Sequence, residues 1–311
     1  MTSMEMRRIG SLEVTVVGLG CNNFGTRIDE RATHEVVNAA LDAGINFLDT
    51  ADIYGKGLSE EFIGRALEAS GRRGEVVLAS KFGKSMGEGR RGAHPACIRR
   101  AVEDSLRRLR TDRIDLYQQH EFDADVPLED TLGALDELVR EGKVREIGSS
   151  NFTATQVVNA ERIARSRGVA RFVSVQNEYS LLEREPERGV LDECARVGAA
   201  FLPYYPLAAG LLSGKYRRGE SAPPGTRLSR PGGLTGPEAD DRLRRVEALR
   251  GFAASRGHEL LELAFSWLLA RREVASVIAG ATKPEQVRAN VRAAEWKLTA
   301  ADLAGVDRAS A

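Results

Sequence analysis

Residues 76–120 read VVLASKFGKSMGEGRRGAHPACIRRAVEDSLRRLRTDRIDLYQQH, and the order of patterns within them decides the fold. VVLASKFG (76–83) and IDLYQQH (114–120) are short, largely apolar runs of strand length. Between them Ile98, Val102, Leu106 and Leu109 fall three or four apart, which is one face of a helix. His94-Pro95 marks the start of that helix, since a proline at an early helical position lacks an N–H that would have no partner there. A strand apolar on both faces, a covering helix and a second such strand form one unit of a parallel sheet.

The same alternation extends in both directions. Strand-like runs recur as VTVVGLGC (14–21), NFLDT (46–50), KVREIGSSN (143–151), FVSVQNEY (172–179), AAFLPYYPL (199–207) and ASVIAGA (275–281). Leu132, Leu135 and Val139 form a second helical face, and Leu243, Val246, Leu249 and Phe252 a third. Eight such units in 311 residues predict an α/β chain folded as one closed (β/α)8 TIM barrel, residues 1–311 making a single domain. An open doubly wound sheet tolerates the same alternation, but the strand count favours the barrel. A polar-apolar stretch over 6–13 reads as a hairpin closing the barrel bottom. Residues 208–236 are rich in Gly and Pro, Pro231 and Gly232 among them, and have no period. Following the seventh strand, this segment falls on the face where barrel active sites form and reads as a loop with a task.

Composition excludes several function classes. The chain is 42% hydrophobic and 29% charged, which suits a sizeable core without staples. Lys plus Arg and Asp plus Glu number 45 each, so bulk charge gives no support for nucleic-acid binding. Cys21, Cys97 and Cys194 are scattered, which argues against a disulfide framework and against a metal site. Met1 to Gly10 lacks the apolar core of a signal peptide, and no apolar run approaches the ~18 residues that would cross a bilayer. The expectation is a cytoplasmic protein with no membrane partner; the oligomeric state is not legible.

Gly18-Leu19-Gly20-Cys21-Asn22-Asn23 begins like a dinucleotide fingerprint. Asn23 replaces the third glycine and no helix opens until about Glu30, so that reading fails, and the glycines are expected to permit a tight turn. The informative residues stand at the ends of separate strands: Asp49 and Tyr54, Lys81, His120, and Gln176. Each alone has an ordinary explanation: a cap, a wall aromatic, an ion pair, a buried histidine. Together they supply what protonating a carbonyl oxygen needs. A phenol with a pKa near ~10 is a poor acid at neutral pH, a neighbouring ammonium is expected to lower it, the aspartate holds the lysine, and the histidine orients the substrate oxygen.

With these motifs in view, the chain closely resembles the aldo-keto reductase family over essentially its whole length. GINFLDTADIYG, VVLASKFG, SLRRLRTDRIDLYQQH, REIGSSNF, VSVQNEYSLL, YYPLAAGLLSGKY and VIAGATKPEQVRANV carry the resemblance in the family's order. It implies reversible reduction of aldehydes and ketones with NADP(H), NAD(H) remaining open, on a small-molecule carbonyl substrate. The catalytic tetrad maps onto Asp49, Tyr54, Lys81 and His120. The carboxamide contacts map onto Ser150, Asn151 and Gln176, and the ring stacked on nicotinamide onto Tyr204. The pyrophosphate loop maps onto Pro206, Leu207, Gly210, Leu212, Gly214 and Lys215, with Arg227 adding charge. The adenosine end maps onto Gly280, Thr282, Lys283, Gln286 and Asn290. Cys21 and Asp49 also face the cofactor on this reading, and 208–236 becomes its covering loop. Asn22, Phe24, Phe82, Phe122 and Tyr205, with Tyr54 and His120, are the expected substrate pocket. Thr282 stands where NADPH-preferring members often carry a cation, and Ala289 where a glutamate is frequent, so NADPH is favoured with Lys283 as the substitute charge. A second functional class with the same resemblance is a regulatory subunit like the potassium-channel beta subunits.

Overall fold

The computed structural model describes residues 4–87, 92–229 and 233–310. Pro231 and Gly232 of the long Gly/Pro segment lie outside the described residues. The chain opens with an antiparallel hairpin, β1 (Met6–Ile9) and β2 (Leu12–Thr15). The barrel strands follow as β3 (Val17–Gly20), β4 (Phe47–Asp49), β5 (Val77–Phe82), β6 (Ile114–Gln119), β7 (Val144–Ser150), β8 (Phe172–Glu178), β9 (Ala200–Tyr204) and β10 (Val277–Gly280). All eight pair in parallel in the order β10-β3-β4-β5-β6-β7-β8-β9. The ring closes between β9 and the approach to β10, where Phe201 N–H donates to the Glu273 carbonyl (2.7 Å) and Ala275 N–H to the Phe201 carbonyl (3.0 Å).

Helices α1 (Glu30–Asp42), α2 (Leu58–Ser70), α3 (Pro95–Leu109), α4 (Leu128–Arg140), α5 (Ala154–Arg167) and α6 (Val190–Val197) each connect successive strands. After β9 come α7 (Pro237–Ala254) and α8 (Leu260–Leu269), and after β10 come α9 (Pro284–Arg292) and α10 (Ala300–Ser310). The helical face predicted from 98, 102, 106 and 109 is buried, and His94 caps α3 by accepting from the Ala96 amide. No helix among the described residues is long and apolar enough to cross a membrane.

Two hydrophobic layers result from the alternation of side chains across each strand. One lies between sheet and helices. The other fills the barrel bottom, where Ile9, Leu12 and Val14 of the hairpin meet Phe47, Ala79, Leu116, Val173, Leu202 and Ile278. The hairpin is thus the expected plug. The run 14–21, however, is not one strand: Val14 and Thr15 belong to β2, and the chain turns at Val16 before entering β3. The glycines of GLG are not turn residues either. They lie within β3, and a Cβ at Gly18 would stand 2.9 Å from both the Phe47 ring and Ser276 Oγ. Close packing inside the barrel, rather than a turn, excludes a side chain there.

Candidate active site

Parallel strands direct all their C-terminal ends to one mouth, and that is where the polar residues gather. Asp49 ends β4, Lys81 lies near the end of β5, His120 follows β6, and Tyr54 begins a short 3-10 turn after β4. Lys81 is fully buried; its Nζ lies 2.6 Å from Asp49 Oδ2 and 2.8 Å from the Thr50 carbonyl. The same ammonium stands 5.2 Å from the centre of the Tyr54 ring, close enough for the two groups to influence each other's ionisation. The Tyr54 and His120 rings meet edge to face at 5.9 Å.

Asp49 is held on its other oxygen by Gln176 Nε2 at 2.9 Å and Gln118 Nε2 at 3.2 Å. The role of Gln118 did not emerge from the sequence. The available signal was a fully buried amide side chain level with Lys81 on the neighbouring strand. A second network runs from Ser150 Oγ, which donates to the Gln176 carbonyl (2.8 Å), to Asn151. Asn151 Nδ2 donates to the Ser150 hydroxyl and the His120 carbonyl, and its Oδ1 accepts from Tyr204 Oη at 2.8 Å.

Electrostatics follow from burial. Burial raises the Tyr54 phenol above its ordinary value; Lys81 opposes this without overcoming it. Lys81 thus pulls the phenol down as expected, but the cost of burying a phenolate is larger and the net direction is upward. Tyr54 is accordingly a phenol at neutral pH, ready to donate. Burial pulls Lys81 down, but Asp49 and Tyr54 more than offset it, so the ammonium persists. Burial, then Lys81 and Lys84, push His120 down to about 2, so its imidazole is neutral.

Behind this group lies a second buried polar cluster. Glu60 is fully buried between Arg108 (2.7 Å) and the Ser80 hydroxyl, and Asp52 Oδ1 is buried without a hydrogen-bond partner. Burial and then Glu60 raise Asp52 to about 7, opposed by the Ile53 amide, Arg108 and Lys81. Two linkage effects follow. The folded protein refuses at His120 a proton that the unfolded chain binds below about 6.5, so this group's stability is lost as pH falls through that value. Asp52 retains a proton that the unfolded chain releases above about 3.9, so its contribution is lost as pH rises from about 4 to 7. Between about 4 and 6.5 the two slopes oppose each other. The variant Asp52→Asn is expected to lose stability on acidification from pH ~6.5 to ~4 more steeply than the parent, by up to ~1.4 kcal/mol per pH unit. Urea unfolding across that range measures it, and parallel slopes for the two proteins reject the assignment.

A cavity of about 680 Å³ runs from Tyr54 and His120 past Ser150, Asn151, Gln176 and Tyr204 to Gly280, Thr282, Lys283, Gln286 and Asn290. Cys21, Asn22, Tyr205, Pro206, Leu207, Gly210, Lys215 and Arg227 also line it. Lys81 stands behind the wall. Asn23 joins Asn22 on the polar side of the lining, and residues the sequence did not single out, Arg27, Lys84 and Ser213 among them, complete it. Five expected site residues are placed elsewhere. Phe82 follows Lys81 on β5, so it takes the opposite face and packs among the helices, 4.9 Å from the Tyr117 ring. Phe24 is fully buried beneath the β3–α1 turn, and Phe122 packs edge-on against Phe152. Leu212 is buried in the core, and Gly214, with φ 83°, terminates the 3-10 turn Ala208–Ser213 without reaching the cavity.

The long segment after β9 is fastened across the cavity. Arg27 Nη2 donates to the Gly225 carbonyl (3.0 Å), and Arg227 Nη2 to Asn23 Oδ1 (3.1 Å), with the Arg227 guanidinium over the Tyr205 ring. Three non-glycine residues near its start, Tyr205, Ala208 and Ala209, have φ of 50°, 46° and 57°. Each left-handed residue costs about 1–3 kcal/mol, and such strain concentrates at functional sites.

A parallel barrel whose mouth couples a buried aspartate–lysine pair to a tyrosine and a neutral histidine, beside a long cleft, defines a class of carbonyl-reducing barrel enzymes. The sequence model of the Aldo/keto reductase family matches residues 16–311, and the chain belongs to that family. It is 36% identical over 308 residues to the uncharacterized oxidoreductase YrpG of Bacillus subtilis, covering 95% of this chain and 92% of that protein. It is 35% identical over 298 residues to the aldo-keto reductase YhdN of the same organism, covering 94% and 88%. Among solved structures, aldo-keto reductase AKR11C1 from Bacillus halodurans, in its holo form, superposes with a TM-score of 0.80 at 35% identity, covering 98% of this chain and 96% of that one. Glycerol dehydrogenase AKR11B4 from Gluconobacter oxydans gives 0.84 at 32% identity, covering 99% and 95%. The protein is therefore an oxidoreductase acting on carbonyls, in a family that generally uses nicotinamide cofactors.

Proposed function

We propose that this protein reduces aldehydes and ketones reversibly with NADP(H), Tyr54 supplying the proton. The observation that carries the reading is the buried Lys81 ammonium, paired with Asp49 and 5.2 Å from the centre of the Tyr54 ring, behind the wall of a cavity that Tyr54 and His120 line. The nicotinamide, when bound, supplies the hydride to the carbonyl carbon. Tyr54 donates its phenolic proton to the carbonyl oxygen, and Lys81 stabilises the phenolate left behind. Neutral His120 carries a ring N–H that can hydrogen-bond the same oxygen, and no histidine ionisation intrudes near neutrality.

The fit of the cofactor rests on the cavity. Its volume lies within the range of small-molecule sites, and it is lined by Lys215, Arg227 and Lys283, which suits a polyanion. Ser150, Asn151 and Gln176 would hold the carboxamide and Tyr204 would stack on the ring. The strained backbone over 205–210 and Lys215 would grip the pyrophosphate, with the fastened segment covering it. A Cβ at Gly280 would stand 3.0 Å from Asn23 Nδ2, so a side chain there would press on the Asn23 amide at the cavity wall. At the adenosine end Thr282 is tied through its amide and hydroxyl to Gln286 Oε1 (2.7 and 3.2 Å), while Lys283 forms no ion pair among the described residues. This supports Lys283 as the 2′-phosphate cation. Lys283→Ala is expected to weaken NADPH binding about tenfold, ~1.4 kcal/mol, and NADH binding far less. Fluorescence titration with both nucleotides tests the reading: equal loss for the two removes Lys283 from that role, and no binding of either overturns the cofactor assignment.

A further inference from the structure

With Phe24, Phe82 and Phe122 packed elsewhere, the catalytic end of the cavity is a polar mouth. Its lining there comprises Tyr54, His120, Asn151, Tyr205 and Lys84. Lys84 comes two residues after β5, just beyond Gly83, whose φ of 110° turns the chain out of the strand. The His120 amide donates to the Phe82 carbonyl at 2.8 Å, so the ends of β5 and β6 are stitched together and carry Lys84 and His120 side by side. Among the described residues, the other cations lining the cavity stand on the β3–α1 turn, the segment after β9, or the start of α9. They are Arg27, Lys215, Arg227 and Lys283. Lys84 alone flanks the histidine. Its ion pair, with Glu121, is at 4.0 Å, and the two side chains are 38% and 41% exposed. Such a pair is worth little, and a ligand anion can replace Glu121 at small cost. Glu121 itself does not line the cavity, so the cavity meets the lysine and not its counter-ion.

We propose that Lys84 selects carbonyl substrates that bear an anionic group, a carboxylate or a phosphate, a short chain away from the reacting carbon. This rests on the carbonyl reduction proposed above and adds the substrate class. His120 is neutral; Arg227 lies over the Tyr205 ring and is tied to Asn23, so Lys84 is the lining cation beside the histidine that an anionic substituent meets. Among the described residues, the three phenylalanines expected as apolar walls pack elsewhere, which weakens any competing preference for bulky hydrophobic carbonyls. Lys84 is a specificity residue here: it takes no part in hydride or proton transfer.

The experiment compares kcat/KM, at saturating NADPH, for two matched pairs: succinic semialdehyde against butanal, and glyceraldehyde phosphate against glyceraldehyde. The quantity read is the anionic-to-neutral ratio in the parent, Lys84→Met and Glu121→Gln. Lys84→Met is expected to lower the ratio about fivefold, mainly through KM, while Glu121→Gln, which removes the competing carboxylate, raises it about twofold. A change in the first pair alone assigns a carboxylate, and in the second alone a phosphate. Opposite movement in the two variants is not what simple damage to the fold produces. Ratios that Lys84→Met leaves unchanged in both pairs, with the neutral aldehydes still reduced, overturn this proposal and leave the reductase reading intact. Failure of the parent to reduce all four overturns both.

Discussion

Replacing Tyr54 with Phe is expected to lower kcat for carbonyl reduction by roughly 10²–10⁴-fold, the contribution of a positioned general acid, while the affinity for NADPH changes by less than about twofold. The substitution removes one oxygen and keeps the ring against His120. Lys81 retains Asp49 Oδ2 and the Thr50 carbonyl, so its ammonium is not stranded and the fold loses little. Steady-state turnover and fluorescence titration on the same preparation separate the two effects. Near-parental turnover with tight cofactor binding would remove Tyr54 from the mechanism, since the phenol would then not be the source of the proton.

The second large effect concerns the lysine. Lys81→Met leaves Asp49 as a buried carboxylate with two amide donors and no cation, an arrangement that costs about 3–5 kcal/mol when a buried pair is broken from one side. Activity is expected to fall at least as far as in the tyrosine variant. The double variant Asp49→Asn with Lys81→Met is the informative one. Removing both charges restores most of the stability, because nothing ionised is left buried, yet carbonyl reduction stays lost. Urea unfolding gives the stability and turnover gives the chemistry. If the double variant regains parental activity along with its stability, the pair is only structural. If the single variant is as stable as the parent, Asp49 is not the uncompensated charge described above.

Much of this was legible in the chain because the relevant signals are local. Eight apolar runs separated by helical faces specify the barrel, and all eight appear as strands. Asp49, Tyr54, Lys81 and His120 could be brought together from strand ends alone, since a parallel barrel sends every such end to the same mouth. What failed depended on which side of a strand or turn a residue takes. Phe82 reads as an aromatic pocket wall at a strand end, yet it follows Lys81, adjacency in a strand means opposite faces, and the fully buried lysine takes the inner one. Gly18 was read as a turn residue because sequence shows a missing side chain but not what fills the space. The direction of the Tyr54 shift was missed because a neighbouring cation can be inferred from sequence, whereas the amount of water removed from a phenol cannot. Lys84 carried no motif at all; it matters only because the Phe82–His120 hydrogen bond brings it beside the histidine.

The hairpin beneath the barrel has one more implication. Arg7, on β1, donates to the carbonyls of Leu269 (2.9 Å), Arg271 (3.2 Å) and Val274 (2.6 Å), across the joint where β9 meets the approach to β10. Glu5 meets Lys297 at 2.6 Å on the same side. One lip of the thinnest joint in the ring is therefore clamped by a group more than 260 positions away along the chain. Stave-by-stave assembly would leave that lip unheld until the first strand lies beneath it.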